Sequence, residues 1–123
     1  MGKYPGFCRA GDFIFVSGMS ARQADGSIAG VTRLDDGGMV YDIEIQTRVV
    51  IQKIQAALQE AGAGLGDCVA ITSYLTDMQQ FDGYNKVYAE FFNGRASRTT
   101  VAVRQLPHAH MVVELTVTAY KPV

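Results

Sequence analysis

The sequence predicts an α+β domain in which a mixed sheet carries two helices on one face. Three observations point there. A long stretch from Ile43 and a shorter one over 81–92 repeat apolar residues at helical spacing, β-rich apolar runs recur before, between and after them, and no internal repeat or linker divides the chain. At 123 residues the chain holds one core, so residues 1–123 are read as a single domain.

The first clear strand is "FIFVS" at 13–17, opened by the turn-forming Gly11-Asp12 and ended by Gly18. From Ala21 to Gly38 the chain is polar and glycine-rich, with "ADGS" as a turn and room for a brief strand at Ile28 to Thr32. Asp42 is placed to cap the next segment, in which Ile43, Val50, Ile54, Leu58 and Ala61 share one face with Gln, Lys and Glu between them. Gly62 stops this helix after about five turns. Residues 68–77, "CVAITSYLTD", form a strand; 81–92 form the second helix, with Gly83 near its start and Asn93-Gly94 closing it.

The last third reads as two strands joined at Pro107. In the first, Val101 and Val103 alternate with Thr100, Ala102 and Arg104; in the second, Met111, Val113, Leu115, Val117 and Ala119 alternate with Val112, Glu114, Thr116 and Thr118. Two helices cover only one face of such a sheet, so the free face is expected to associate into a homo-oligomer with sites at the seams.

Composition excludes several classes of function. Eleven scattered basic residues against 12 acids give a net charge of -1, which argues against a dedicated nucleic-acid surface. Cys8 and Cys68 stand too far apart for a zinc knuckle or a disulfide framework; Cys68 is expected in the core and Cys8 nearer the surface. The N-terminal "MGKYPGFCRAGD" lacks the apolar run of a signal peptide, no segment approaches the ~18 apolar residues of a membrane span, and Gly6 stands where a myristoylation motif requires Ser or Thr. A soluble, cytoplasmic protein without a membrane partner is expected.

Chemistry concentrates in Arg98 and Glu114, both on the polar faces of their strands. A guanidinium offers a planar donor fork for a carboxylate, and a nearby acid can orient or deprotonate a water. The plainer possibility is a mutual ion pair. A hairpin centred near His108 would set Glu114 opposite Ala102 and leave Arg98 roughly 13 Å along the strand, so convergence would require a pocket between subunits. His108 and His110 have metal-compatible spacing but lack a third ligand, so solvent-exposed turn histidines are expected, with a role in holding a second substrate carboxylate as the alternative. There is no Ser/His/Asp triad, phosphate loop or dinucleotide fingerprint; "GAGLG" is a helix stop and tight turn.

Taken together, "YPGFCRAGDFIFVSG", "QTRVVIQKIQAALQEAGAGLGDCVAITSYLTDMQQF", "YNKVYAEFF" and "SRTTVAVRQLP" followed by "VVELTVTAY" resemble the RidA family of enamine and imine deaminases, in family order over nearly the whole chain. The resemblance implies a chorismate-mutase-like fold, a homotrimeric barrel with three pockets at the subunit seams, and catalysis without a metal or organic cofactor. It places the family's pocket arginine on Arg98, its acid on Glu114, its tyrosine on Tyr4, its Ser-Gly on Ser17-Gly18 and its asparagine on Asn85. Thr100 stands where many members carry a cysteine, so no thiol role transfers, and Ala96-Ser97-Arg98 replaces the usual Pro-Ala-Arg. "DIEIQTRVVI", "GYNKVYAEFF" and "RTTVAVRQLPHAH" resemble the 2-aminomuconate deaminase subgroup, which acts in aromatic-compound breakdown. A dicarboxylate of that kind would need a second cationic or donor group, for which Arg104, Arg9, His108 and His110 are available. Three alternatives remain open: a general 2-aminoacrylate/2-iminopropanoate deaminase, a non-catalytic metabolite-binding trimer, and a ribonuclease, the last with little support from the charge pattern.

Overall fold

A computed structural model describes residues 6–123. One five-stranded sheet has the order β1-β2-β7-β5-β6, built from β1 (Phe7–Ala10), β2 (Phe13–Ser20), β5 (Cys68–Leu75), β6 (Ser97–Ala102) and β7 (Val113–Tyr120). A two-stranded ribbon, β3 (Val31–Arg33) and β4 (Met39–Tyr41), lies in the glycine-rich region. Helices α1 (Ile43–Glu60) and α2 (Phe81–Phe91) pack on one another, and α1 also packs on β2 and β7. The mixed α+β architecture expected from the sequence is therefore present. Among the described residues no helix is long and apolar enough to cross a membrane.

The ends of α1 follow from local chemistry. The Asp42 carboxylate accepts from the Glu44 and Ile45 amides at 2.9 and 3.1 Å, satisfying two otherwise unpaired donors. At the other end Gly62 takes a φ of +83°, and the Gly62 and Ala63 amides return to the carbonyls of Gln59 and Leu58, closing a Schellman motif. Between these ends Val50, Ile51, Ile54 and Leu58 are fully buried against the sheet. Gln46, which the pattern placed among the polar positions, is also fully buried. Its amide donates to the His110 carbonyl at 2.8 Å and accepts from the Val112 amide at 3.0 Å, so it pins the loop before β7.

Three expectations need correction. The strand at 13–17 does not end at Gly18 but runs to Ser20, with two residues, Ser17 and Gly18, opposite the single Thr116 of β7; this is a β-bulge. An unanticipated strand, β1, precedes it and pairs with β2 across the two-residue turn Gly11-Asp12, where Gly11 has a φ of +59°. The last two strands do not form a hairpin: β5 lies between them, parallel to β6 and antiparallel to β7. Helix α2 is thus the crossover of a β5–α2–β6 unit, and residues 103–112 form a loop long enough to step over β5.

Candidate functional site

Inserting β5 between β6 and β7 changes the relation between Arg98 and Glu114. Arg98 is in register with Ile71 and Glu114 with Tyr74, so the two lie two strands apart and three residues out of step, roughly 14 Å between backbones. They also face opposite ways. The register puts Arg98 and Thr100 beside Ile71 and Ser73, which are buried under the helices, whereas Glu114 alternates with the buried Val113 and Leu115 and faces away from them. An ion pair between them within one chain is thereby excluded, and it is the inserted β5, not the expected hairpin, that separates them.

Arg98 belongs to one half-site, formed by edge strand β6 and helix α2. Its guanidinium donates to Asn85 Oδ1 at 2.7 Å and lies over the Tyr88 ring, 4.4 Å from the centroid, with Phe81 and Tyr84 each at 5.8 Å. The helix explains this cradle: Phe81, Tyr84, Asn85 and Tyr88 recur at spacings of three and four, which stacks them along one side of α2. Behind it, the Ser73 hydroxyl and Tyr84 phenol share a hydrogen bond in the core. Asn85 is the sole hydrogen-bond partner of Arg98 among the described residues, and no carboxylate neutralises it. An exposed arginine held by rings and an amide keeps its remaining donors for a ligand.

The second half-site is built at the bulge of β2. A Cβ on Gly18 would stand 2.9 Å from Glu114 Oε2, so the glycine is what lets the carboxylate lie against the strand. Ser17, beside it, donates its backbone N–H to the Gly6 carbonyl at 2.9 Å. Burial pushes the Glu114 carboxyl above its ordinary value, and the positive charge of Lys53 partly offsets this. Lys53 reaches from α1 to the carbonyls of Ser20 and Arg22, at 2.8 and 2.9 Å, and Ser20 is in register with Glu114. Its own affinity for a proton is lowered by burial and then by Arg22, with Glu114 acting in the opposite direction. Sequence reasoning missed Lys53 because it sat among the polar positions of an amphipathic helix.

The remaining candidates separate cleanly. Tyr4 lies outside the described residues. Arg9 is committed to the fold: its guanidinium donates to the carbonyls of Lys121, Gly11 and Ala61, tying α1 to the chain's end. Arg104 and His108 line a cleft beyond the far end of β6, roughly 20 Å along the chain from Arg98. The expectation of solvent-exposed turn histidines also needs correction, since both rings are half-buried. They lie 4.8 Å apart, His108 Nδ1 accepts from the His110 amide at 3.0 Å, and His110 packs on Tyr41. No cluster of three potential metal ligands exists among the described residues. Cys68 is buried and its thiol is pushed up to about 11 by burial and by Asp67, so it is not a thiolate at neutral pH, while Cys8 is exposed.

Comparison with known proteins identifies the family and the fold. The family model described as Endoribonuclease L-PSP matches residues 1–121. A RutC family protein of Pyrococcus abyssi is 37% identical over 98% of this chain and 88% of its own length. A Thermotoga maritima structure provisionally termed an endoribonuclease superposes with a TM-score of 0.84 at 30% identity, covering 100% of this chain and 90% of that one. Escherichia coli TdcF, provisionally named a reactive intermediate deaminase, is 31% identical over 58% of each chain, and its structure with bound serine superposes with a TM-score of 0.79 over 98% of this chain and 89% of that one. With its mixed sheet, its two helices and a family match along nearly its whole length, the chain belongs to the Endoribonuclease L-PSP family, the group that includes the RutC and RidA proteins.

Proposed function

We propose that the protein hydrolyses carboxylated enamines and imines to 2-oxo acids and ammonia, at sites completed where two copies of the chain meet. The observation that carries this reading is the pair of half-sites. An arginine without a counter-carboxylate and a half-buried glutamate of raised proton affinity each lack, within one chain, the partner that the chemistry requires. The free face supports assembly: Phe13, Phe15, Val101 and Tyr120 are each more than a third exposed there, an apolar surface suited to cover by further copies, and the family resemblance suggests a trimer.

In the proposed reaction Arg98 clamps the carboxylate beside the reacting carbon, oriented by Asn85, while Thr100 lies two residues along the same face. The enamine carbon takes up a proton as the nitrogen gives one up, forming the imine. Glu114 of the neighbouring copy removes one proton from a water as its oxygen attacks the imine carbon and passes it to the nitrogen, giving a carbinolamine. The remaining hydroxyl proton then moves through the same carboxylate to the nitrogen as the C–N bond breaks, releasing ammonia and leaving the 2-oxo acid. A carboxyl with raised proton affinity exchanges protons nearer neutrality than an ordinary glutamate does. The Ser17-Gly18 bulge supplies backbone against which the substrate rests.

The specific substrate we propose is 2-aminomuconate, on the strength of the subgroup resemblance; 2-aminoacrylate is the comparator. Generating 2-aminomuconate in situ from its semialdehyde and following its absorbance decay tests this directly. Acceleration over the spontaneous rate, lost in Arg98→Ala, supports a dedicated catabolic deaminase. Acceleration of 2-aminoacrylate decay alone moves the assignment to general imine scavenging, and ligand binding without ammonia release from either compound identifies a binding module.

A further inference from the structure

The cleft at the far end of β6 has a volume of about 540 Å³, within the range of small-molecule sites, and the proposed deamination uses none of it. Its walls come from three separate parts of the chain: the turn after β5, the loop at 104–112, and Tyr41 of β4. Several polar side chains line it, and Arg104, Gln80, His108 and Asp77 carry the charge, the buried acceptor and the donors that matter most. Arg104 makes no hydrogen bond or ion pair among the described residues, so its donor fork is available. Gln80 Oε1 is buried and has no hydrogen-bond partner among the described residues, a deficit that a donor from a ligand would remove. The neutral His108 accepts through Nδ1 from the His110 amide, which leaves its proton on Nε2 as a further donor. Asp77 adds a carboxylate, whose Oδ1 accepts the Gln79 amide.

This set has a definite preference. Arg104 and His108 favour a carboxylate, while Gln80 Oε1 and Asp77 favour a group rich in N–H donors. The Asp77 charge disfavours a dianion such as phosphate, which has no donors to offer it. Tyr41, Leu106 and Met111 provide an apolar wall for the rest of the molecule. We infer that the cleft is a second binding site, separate from the Arg98 site, for a free α-amino acid with an apolar or aromatic side chain: its carboxylate on Arg104, its ammonium on Gln80 and Asp77. Gln80 immediately precedes α2, the helix whose Asn85 holds Arg98, so an occupant braces the start of the element that positions half of the candidate site.

Titration calorimetry of the full chain with L-phenylalanine tests the site, with 3-phenylpropanoate and phenethylamine as analogues lacking the ammonium and the carboxylate. L-Phenylalanine is expected to bind more tightly than either analogue. Arg104→Ala should weaken it at least about tenfold, and Arg98→Ala should leave it unchanged. Gln80→Met, which keeps the volume and removes the acceptor, should weaken L-phenylalanine but not 3-phenylpropanoate. Absence of binding at millimolar concentration overturns the inference, as does binding that survives Arg104→Ala and vanishes in Arg98→Ala. Because the readout is binding and Arg98→Ala is its control, failure here leaves the deaminase reading intact, and failure of deamination leaves this site intact.

Discussion

The two halves of the candidate site are built by opposite means. Arg98 stands at a sheet edge, exposed, held by one amide and a row of rings on α2. Glu114 stands on a central strand, half-buried at a bulge, with a glycine backbone against its carboxylate and a lysine nearby. The first arrangement presents charge outward at little cost to the fold; the second adjusts a proton affinity and leaves no room at Gly18 for a side chain unless the carboxylate moves. Binding and proton transfer need those different properties, and the sheet keeps them on different faces.

That division can be broken from either side. Glu114→Gln should reduce kcat about a thousandfold while ligand affinity persists, because the amide fills the space but cannot take the proton from water. Arg98→Ala should lower kcat/KM about a hundredfold, with no change in the melting midpoint, because an exposed clamp is lost rather than a core contact. Gly18→Ala should cost about tenfold in kcat, since its methyl would meet Glu114 Oε2 at 2.9 Å; circular dichroism should show the fold retained. Equal losses of KM and kcat in all three variants would show that the halves do not divide the work.

A smaller effect sharpens the electrostatic side. Lys53→Met removes the cation that restrains the Glu114 carboxyl, so the acid limb of kcat/KM should move to higher pH, and the two lost bonds to Ser20 and Arg22 should cost about 1–2 kcal/mol of stability in denaturant unfolding. The raised affinity of Glu114 also has a sign in stability. The folded carboxyl holds its proton more tightly than the unfolded one, so its contribution is present below the ordinary glutamate range and is lost as pH rises through the raised value. Unfolding midpoints measured across that window should fall with rising pH in the parent and lose this component in Glu114→Gln.

How far the sequence disclosed these features depended on the range of the interactions. Helix α1 was legible because its cap, its apolar face and its stop are fixed by Asp42, Val50, Ile54 and Gly62 themselves. The β6–β7 hairpin was not, because the alternation of each strand says nothing of which neighbour it takes, and β5 claims the place between them. Gln46 and Lys53 looked like solvent-facing helix positions; their partners, at His110, Val112, Ser20 and Arg22, lie more than 30 residues away. The bulge does carry a sequence signal, since a Ser-Gly inside an apolar strand marks a local break in pairing. The chemistry of Arg98 and Glu114 was readable residue by residue, whereas the faces they occupy came only from the register.

Mixing subunits tests most directly whether one chain's Arg98 works with another's Glu114. Arg98→Ala and Glu114→Gln proteins, each strongly impaired alone, would be unfolded together, refolded and assayed for ammonia release. Random assembly into a ring gives each seam a one-in-four chance of pairing an intact Arg98 with an intact Glu114, so about a quarter of the parent activity should return. Recovery no greater than the sum of the two separate variants would contradict a site shared between copies.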